Sequence, residues 1–230
     1  VKYWCVGNEM WGSWQLGYMR QEHYVLKHNW VEEMMRKVDP DIITIASGDL
    51  GSGWSEGLLR HCYDHMNHIA EHFYCQSRPG LTAHVRQVPD RIREKAEGHR
   101  RLRQELPMLQ GKDIRIAMTE WNYWYGPHVF GELGTRYYMK DALGIAAGLH
   151  EYFRQSDMIH SAFYAQTVNV IGCIKTTKTA AEFDATVYPL ILYRRAFGTR
   201  PLAVTGWDEQ LDVAAALSAD GKTLTVGFVN

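Results

Sequence analysis

Residues 113–126 read DIRIAMTEWNYWYG. Ile114, Ile116 and Met118 alternate through this stretch and predict a strand with those three side chains on one face. Glu120 follows the apolar run at once, and Trp121 and Trp124 crowd around it. Residues 2–15, KYWCVGNEMWGSWQ, repeat the arrangement. A short strand there runs into Glu9, with Trp4, Trp11 and Trp14 close by in the chain.

Strand and helix patterns alternate around these two stretches. KYWCV is a strand, and residues 21–37 carry a helical period through Tyr24, Leu26, His28, Val31, Met34, Met35 and Val38. A β-branched strand spans 42–46, and GWSEGLLRHCYDHM is a helix with Ser55 as its cap. HIAEHFY is a strand, and a charged amphipathic helix covers 89–106, opened by Pro89. After the 113–120 strand come an apolar helix at 134–154 and a strand, MIHSAFYAQ. A last helix at 182–196 is ended by Gly198. Strand then helix, five times over, predicts an α/β fold with a parallel sheet and helical crossovers. Five such units cannot close an eight-stranded barrel, so a barrel parent implies that about three units are missing. After Pro201 the pattern changes to LAVTGW, LDVAAALS and TLTVGFV, separated by WDEQ and ADGK turns. That is antiparallel β, with a boundary near 198–202. The chain opens at Val1 inside a strand pattern and stops inside another, as expected of a piece of a longer protein.

Composition removes several function classes. Net charge is −1 over 230 residues, and the basic run HRRLR at 99–103 fits a solvated helix face, so no nucleic-acid partner is implied. No apolar run is long enough to span a membrane. The four cysteines (Cys5, Cys62, Cys75, Cys173) match neither a zinc knuckle nor a disulfide framework. His61, His65, His68 and His72 cluster, and a helix would put the first two on one face beside Asp64. Without an HExxH-type pairing this reads as a helix end followed by a strand, and no metal or cofactor is called for. The glycines in SGDLGSGWSEG have no phosphate-loop spacing and predict a loop at the sheet rim. The residues leave the compartment open.

Two carboxylates at strand ends are what glycosidic cleavage needs, one as acid and one as nucleophile or base. In α/β barrels the C-terminal strand ends carry the chemistry. Glu9, Glu120, the HFY segment and Gln166 are all predicted there. Aromatic rings suit the apolar faces of sugars. Desolvation among such rings raises a carboxyl pKa unless donors hold the charge, and Asn8, His72, Tyr74, Asn122 and Gln166 are available as donors. Each glutamate could instead be a plain helix cap, and the aromatic cluster at 121–125 could bind sugar without cleaving it.

GNEMWGSWQLG and TEWNYWYGP resemble the two catalytic motifs of the α-L-arabinofuranosidases of glycoside hydrolase family 51. EHFYC and YAQTVNVIG are similar to that family's other strand-end motifs, and the resemblance extends from residue 3 to about residue 200. It implies a (β/α)₈ TIM barrel of which this chain holds about strands 4–8. Residues 1–199 would then be a partial catalytic domain, and residues 200–230 the start of a C-terminal antiparallel β-sandwich. It also implies a retaining glycosidase releasing terminal α-L-arabinofuranosyl residues from arabinose-containing polysaccharides or oligosaccharides. Glu9 corresponds to the acid/base and Glu120 to the nucleophile. Asn8 would bond the hydroxyl beside the reacting carbon, and Tyr74 would hold the nucleophile. His72, Trp124 and Gln166 would line the sugar subsite. Some members form hexamers, so a homo-oligomer is an open expectation. Many members have Asp-Gly-Pro where this chain has Trp11, Gly12 and Ser13, a departure on the leaving-group side. A related retaining β-glycanase is the alternative within the same chemistry. An open half-barrel exposes sheet edges, so the chain by itself is expected to be inactive.

Overall fold

The computed structural model describes residues 1–129, 133–206 and 210–230. The chain divides into two compact units. The first comprises Val1–His72, Lys95–Thr119 and Asp157–Ala162, and the second comprises Phe73–Glu94, Glu120–Ser156 and Phe163–Asn230.

The first unit contains β1 (Tyr3–Val6), α1 (Gln21–Val38), β2 (Ile43–Ser47) and α2 (Trp54–His61). It also contains the opening residues of β3 (His68–Cys75), β4 (Arg115–Tyr123) and β5 (Ile159–Tyr164), and the end of α3 (Leu81–Glu105). Its sheet runs in the order β1-β2-β3-β4-β5. β1 pairs parallel with β2 (Tyr3 opposite Ile43), and β2 with β3 (Ile45 opposite His68). The parallel sheet expected from the alternation is present. Its inner strands are buried on both faces, as in β4, where the consecutive Ile116, Ala117 and Met118 are all fully buried, whereas Tyr3 and Trp4 on the edge strand β1 are exposed. Leu58, Leu59, Ile69, Leu106 and Ile114 build the core beside Tyr24 and Trp54.

The helices α1, α2 and α3 each differ from the sequence reading. In α1 the buried residues are Tyr24, His28 and Glu32, whereas Leu26 and Val38 are 71% and 88% exposed. The buried Glu32 is tolerated because Arg36 and His65 both pair with it. Ser55 does not cap α2. The N-cap is Gly53, and the Ser55 hydroxyl is buried and donates to Glu71. α2 also ends at His61, so His61 and His65 do not share a helix face. Pro89 lies inside α3, which begins at Leu81. Proline removes one helical hydrogen bond, but Val88 and Ile92 on either side are completely buried, and their packing holds the turn.

The second unit carries the ends of β3, β4 and β5, α4 (Met139–Arg154), a hairpin of β6 (Ile174–Thr176) and β7 (Ala181–Phe183), and α5 (Val187–Ala196). The last helix is shorter than expected because 181–183 pair into the hairpin. α4 runs close to Tyr123: a Cβ on Gly144 would stand 2.0 Å from the Tyr123 hydroxyl, so that position needs glycine. The unit ends in an antiparallel sheet, ordered β10-β9-β8, of β8 (Arg200–Leu202), β9 (Asp212–Leu217) and β10 (Leu224–Val229). Antiparallel pairing was expected after Pro201. The WDEQ turn falls on residues 207–210, of which 207–209 lie outside the described residues.

Candidate active site

Glu9 stands in the tight turn that leaves β1. Gly7 has φ +85°, and a Cβ there would meet Met10 Cγ at 2.7 Å, so the turn requires glycine. Glu9 itself has φ 45°, a left-handed conformation that costs a side-chain-bearing residue about 1–3 kcal/mol. Gly12 N–H donates to Glu9 O (2.7 Å) and Met19 N–H to Met10 O (3.0 Å), which close the following loop. The Glu9 carboxylate takes Trp14 Nε1–H at 2.8 Å and Gln15 Nε2–H at 3.2 Å on Oε2, while His72 Nδ1 lies 2.9 Å from Oε1. His72 Nε2 is 2.7 Å from the Thr119 hydroxyl.

Two opposing effects act on Glu9, and the donors win. The His72 hydrogen bond is the largest, partial burial works against it, and Trp14 and Gln15 add to it, so the carboxyl is held down to about 2. Burial among tryptophans therefore does not raise this carboxyl, because three donors offset the desolvation. The same geometry also provides a proton route. With both ring nitrogens protonated, Nδ1–H donates to ionised Glu9 and Nε2–H donates to the Thr119 hydroxyl. Transfer of the Nδ1 proton leaves protonated Glu9 donating to a neutral ring, with Nε2–H still on Thr119. The proton moves within one hydrogen bond, so no heavy atom has to move.

His72 and Glu71 are neighbours on β3, and strand alternation sends them to opposite faces. Glu71 is fully buried. It accepts from Ser55 Oγ (2.5 Å), Lys95 Nζ (2.6 Å) and Leu50 N–H (3.0 Å), and lies 2.8 Å from His99 Nε2. Burial pushes its carboxyl up, but His99 and Lys95 outweigh that and hold it down to about 2.

In the second unit Glu120 lies in β4 and accepts a 2.6 Å hydrogen bond from the Tyr74 hydroxyl on β3. Trp124 sets its ring edge-on to Tyr74, with centroids 5.2 Å apart, and its Nε1–H donates to Leu133 O at 3.1 Å. Tyr74, Glu120, Tyr164, Ala165, Gln166 and Thr167 line a cavity of about 350 Å³. The Ala165–Gln166 peptide is cis. A larger cleft of about 1080 Å³ in this unit holds Glu151 and Asp212. Arginines pair with both carboxylates, Arg93 with Glu151 and Arg154 with Asp212.

Of the residues singled out in the sequence, Glu9 and His72 meet in the first unit, and Tyr74, Glu120, Trp124 and Gln166 gather in the second. Asn8 is exposed beside Glu9. Trp121 is no sugar platform. It is 1% exposed and packs against Phe73, Tyr152 and Tyr164. Trp4 bonds Val1 O rather than anything at Glu9. Thr119, Gln15 and Tyr164 went unrecognised in the sequence. For Thr119 the signal was its place immediately before Glu120.

Residues 119–225 match the family model described as the α-L-arabinofuranosidase C-terminal domain. The whole chain aligns at 30% identity with 53% of a probable α-L-arabinofuranosidase C of Aspergillus flavus. It aligns at 27% with 52% of an intracellular exo-α-(1→5)-L-arabinofuranosidase of Bacillus subtilis. The crystal structure of the α-L-arabinofuranosidase of Thermotoga maritima in complex with arabinose superposes on all of this chain and 52% of its own, with a TM-score of 0.89 at 27% identity. The chain is similar to the α-L-arabinofuranosidases of glycoside hydrolase family 51. It matches the C-terminal part of family 51 chains and spans about half the length of the curated relatives it matches. The likeness extends to the fold: helices alternate with parallel strands, and antiparallel sheet follows.

Proposed function

We propose that this chain carries catalytic residues of a retaining glycoside hydrolase that releases terminal α-L-arabinofuranosyl residues from arabinose-containing polysaccharides or oligosaccharides. The observation that carries the reading is the Tyr74–Glu120 hydrogen bond of 2.6 Å beside the cavity lined by Gln166, in a chain whose relatives are named arabinofuranosidases. In this reading Glu120 attacks the anomeric carbon while Glu9 protonates the departing oxygen. The glycosyl–enzyme ester is then opened by water that Glu9, now ionised, deprotonates, and the configuration is retained. The proton needed in the first step sits on the Glu9–His72 pair. Tyr74 orients the nucleophile, and Asn8, Trp124 and Gln166 bind the sugar. Residues 1–199 form part of the catalytic barrel, and residues 200–230 begin a β-sandwich.

The test is hydrolysis of an aryl α-L-arabinofuranoside by the complete protein and by its Glu120→Ala variant, with aryl β-xyloside and β-glucoside as controls. Arabinoside turnover that collapses in the variant, with the first-formed sugar retaining its configuration by NMR, is the expected result. Turnover of the controls alone reassigns the sugar, and inversion removes the nucleophile role.

A further inference from the structure

Asn122 follows the candidate nucleophile by two residues, yet it is completely buried. Its side-chain Nδ2 lies 2.8 Å from the Tyr137 hydroxyl, 2.6 Å from Ala165 O and 2.7 Å from Ile171 O. Its Oδ1 accepts the Tyr123 backbone N–H at 2.7 Å. An amide has two N–H groups, so three acceptors share two protons. The Tyr137 hydroxyl is 2.8 Å from Tyr123 O and 2.9 Å from Ile171 O. The pair therefore ties the end of β4 to both ends of the segment 165–171. Tyr164, which lines the Glu120 cavity, pairs its hydroxyl with that of Thr186 at 2.7 Å.

That segment is not relaxed by itself. Asn169 and Val170 have φ 55° and 47°, and a β-branched residue in the left-handed region persists only where its surroundings over-determine it. Thr135 N–H and Lys175 Nζ both donate to Val170 O, at 2.8 Å and 2.9 Å. Ala165, Gln166 and Thr167 line the cavity at the start of the segment.

We propose that Asn122 and Tyr137 are positioning residues that hold the 165–171 segment against β4, so that Gln166 presents its amide to the sugar beside Glu120. The inference rests on the glycosidase reading above and extends it to two residues that touch no substrate. Removing one hydroxyl from a buried network leaves carbonyls with fewer donors, and the backbone before Gln166 shifts.

The experiment is a double-mutant cycle in the complete protein on an aryl α-L-arabinofuranoside, with Tyr137→Phe, Gln166→Ala and the pair. Tyr137→Phe is expected to lower kcat/KM about tenfold, the worth of one hydrogen bond at most. It should cost almost nothing further when Gln166 is already alanine. L-Arabinose affinity by calorimetry should follow the same pattern. Asn122→Ala is the harsher variant. If it fails to fold, Tyr137→Phe with an unchanged circular dichroism spectrum still decides. Additive losses in the cycle mean that the pair supports the fold but does not act through Gln166, and they overturn the proposal. Unchanged kinetics in Tyr137→Phe do the same. Absence of turnover and of arabinose binding in the native protein removes the glycosidase reading, and this proposal with it.

Discussion

Glu9 and Glu120 look alike in the sequence, each just past an apolar run and among tryptophans, but their surroundings differ in kind. Glu9 lies beyond its strand in a left-handed turn and meets three donors, one of them a histidine that can exchange a proton with it. Glu120 lies within extended β4 and accepts from a phenol at 2.6 Å. At neutral pH a tyrosine hydroxyl orients a carboxylate but does not protonate it. In the proposed reading, one group passes a proton and the other is held in place for attack.

The largest expected effect tests that division directly. Glu120→Ala should lower kcat on every arabinoside by several orders of magnitude, since no other group forms the ester. Glu9→Ala should cost about 10²–10⁴-fold on substrates whose leaving group needs a proton. With 2,4-dinitrophenolate, which leaves without one, the glycosylation step should be close to native. Stopped-flow burst kinetics with both leaving groups separate the cases. Equal losses on both would take the acid role away from Glu9.

A second contrast lies between Glu9 and Glu71. Both carboxyls are held down to about 2, but Glu71 is fully buried beside Lys95 and His99. Glu71→Gln leaves Lys95 charged in the core and should cost about 3–5 kcal/mol of stability in urea titrations. The sign of the pH dependence follows. A depressed carboxyl pKa contributes stability that is complete above the unfolded value of about 4.5 and is lost as pH falls toward about 2. Native protein should weaken across that window, and Glu71→Gln should weaken less. A variant as stable as the native protein at pH 7 would show that the buried pair contributes no net stability.

These contrasts also mark what the sequence could and could not carry. The parallel strands were readable because burial on both faces leaves runs such as Ile116, Ala117 and Met118 almost without polar interruption. The places of Glu9 and Gln166 just beyond their strands, and of His72, Tyr74 and Glu120 in the C-terminal halves of theirs, followed from the same runs. Side-chain partners did not. Asn122 is 43 and 49 residues from Ala165 and Ile171, and Glu71 is 24 and 28 from Lys95 and His99, separations on which periodicity is silent. Trp121 and Trp124 are three residues apart, yet one is core and the other borders Tyr74, because the strand ends between them. Pro89 misled because burial of its neighbours overrides a local start signal.

Tyr74→Phe probes the holding side of the comparison. It deletes one charge-assisted hydrogen bond, worth about 1.5–3 kcal/mol, so kcat/KM should fall about 10- to 100-fold. The loss should appear in kcat more than in KM, since the bond aligns the attacking oxygen. A change confined to KM would instead make Tyr74 a sugar contact.

The smallest effect sharpens the proton-passing side. Trp14→Phe keeps a ring over the loop but removes the N–H that donates to Glu9 at 2.8 Å. That donor helps hold the Glu9 carboxyl near 2, so its loss must raise the pKa toward the ordinary carboxylate value. One hydrogen bond of about 1 kcal/mol moves it by somewhat under one unit. A general acid with a higher pKa stays protonated to higher pH, so the alkaline limb of kcat/KM should shift upward by that amount. His72→Ala, which removes the stronger donor, should move the limb in the same direction and further. A downward shift in either variant would mean that the alkaline limb belongs to a group other than Glu9.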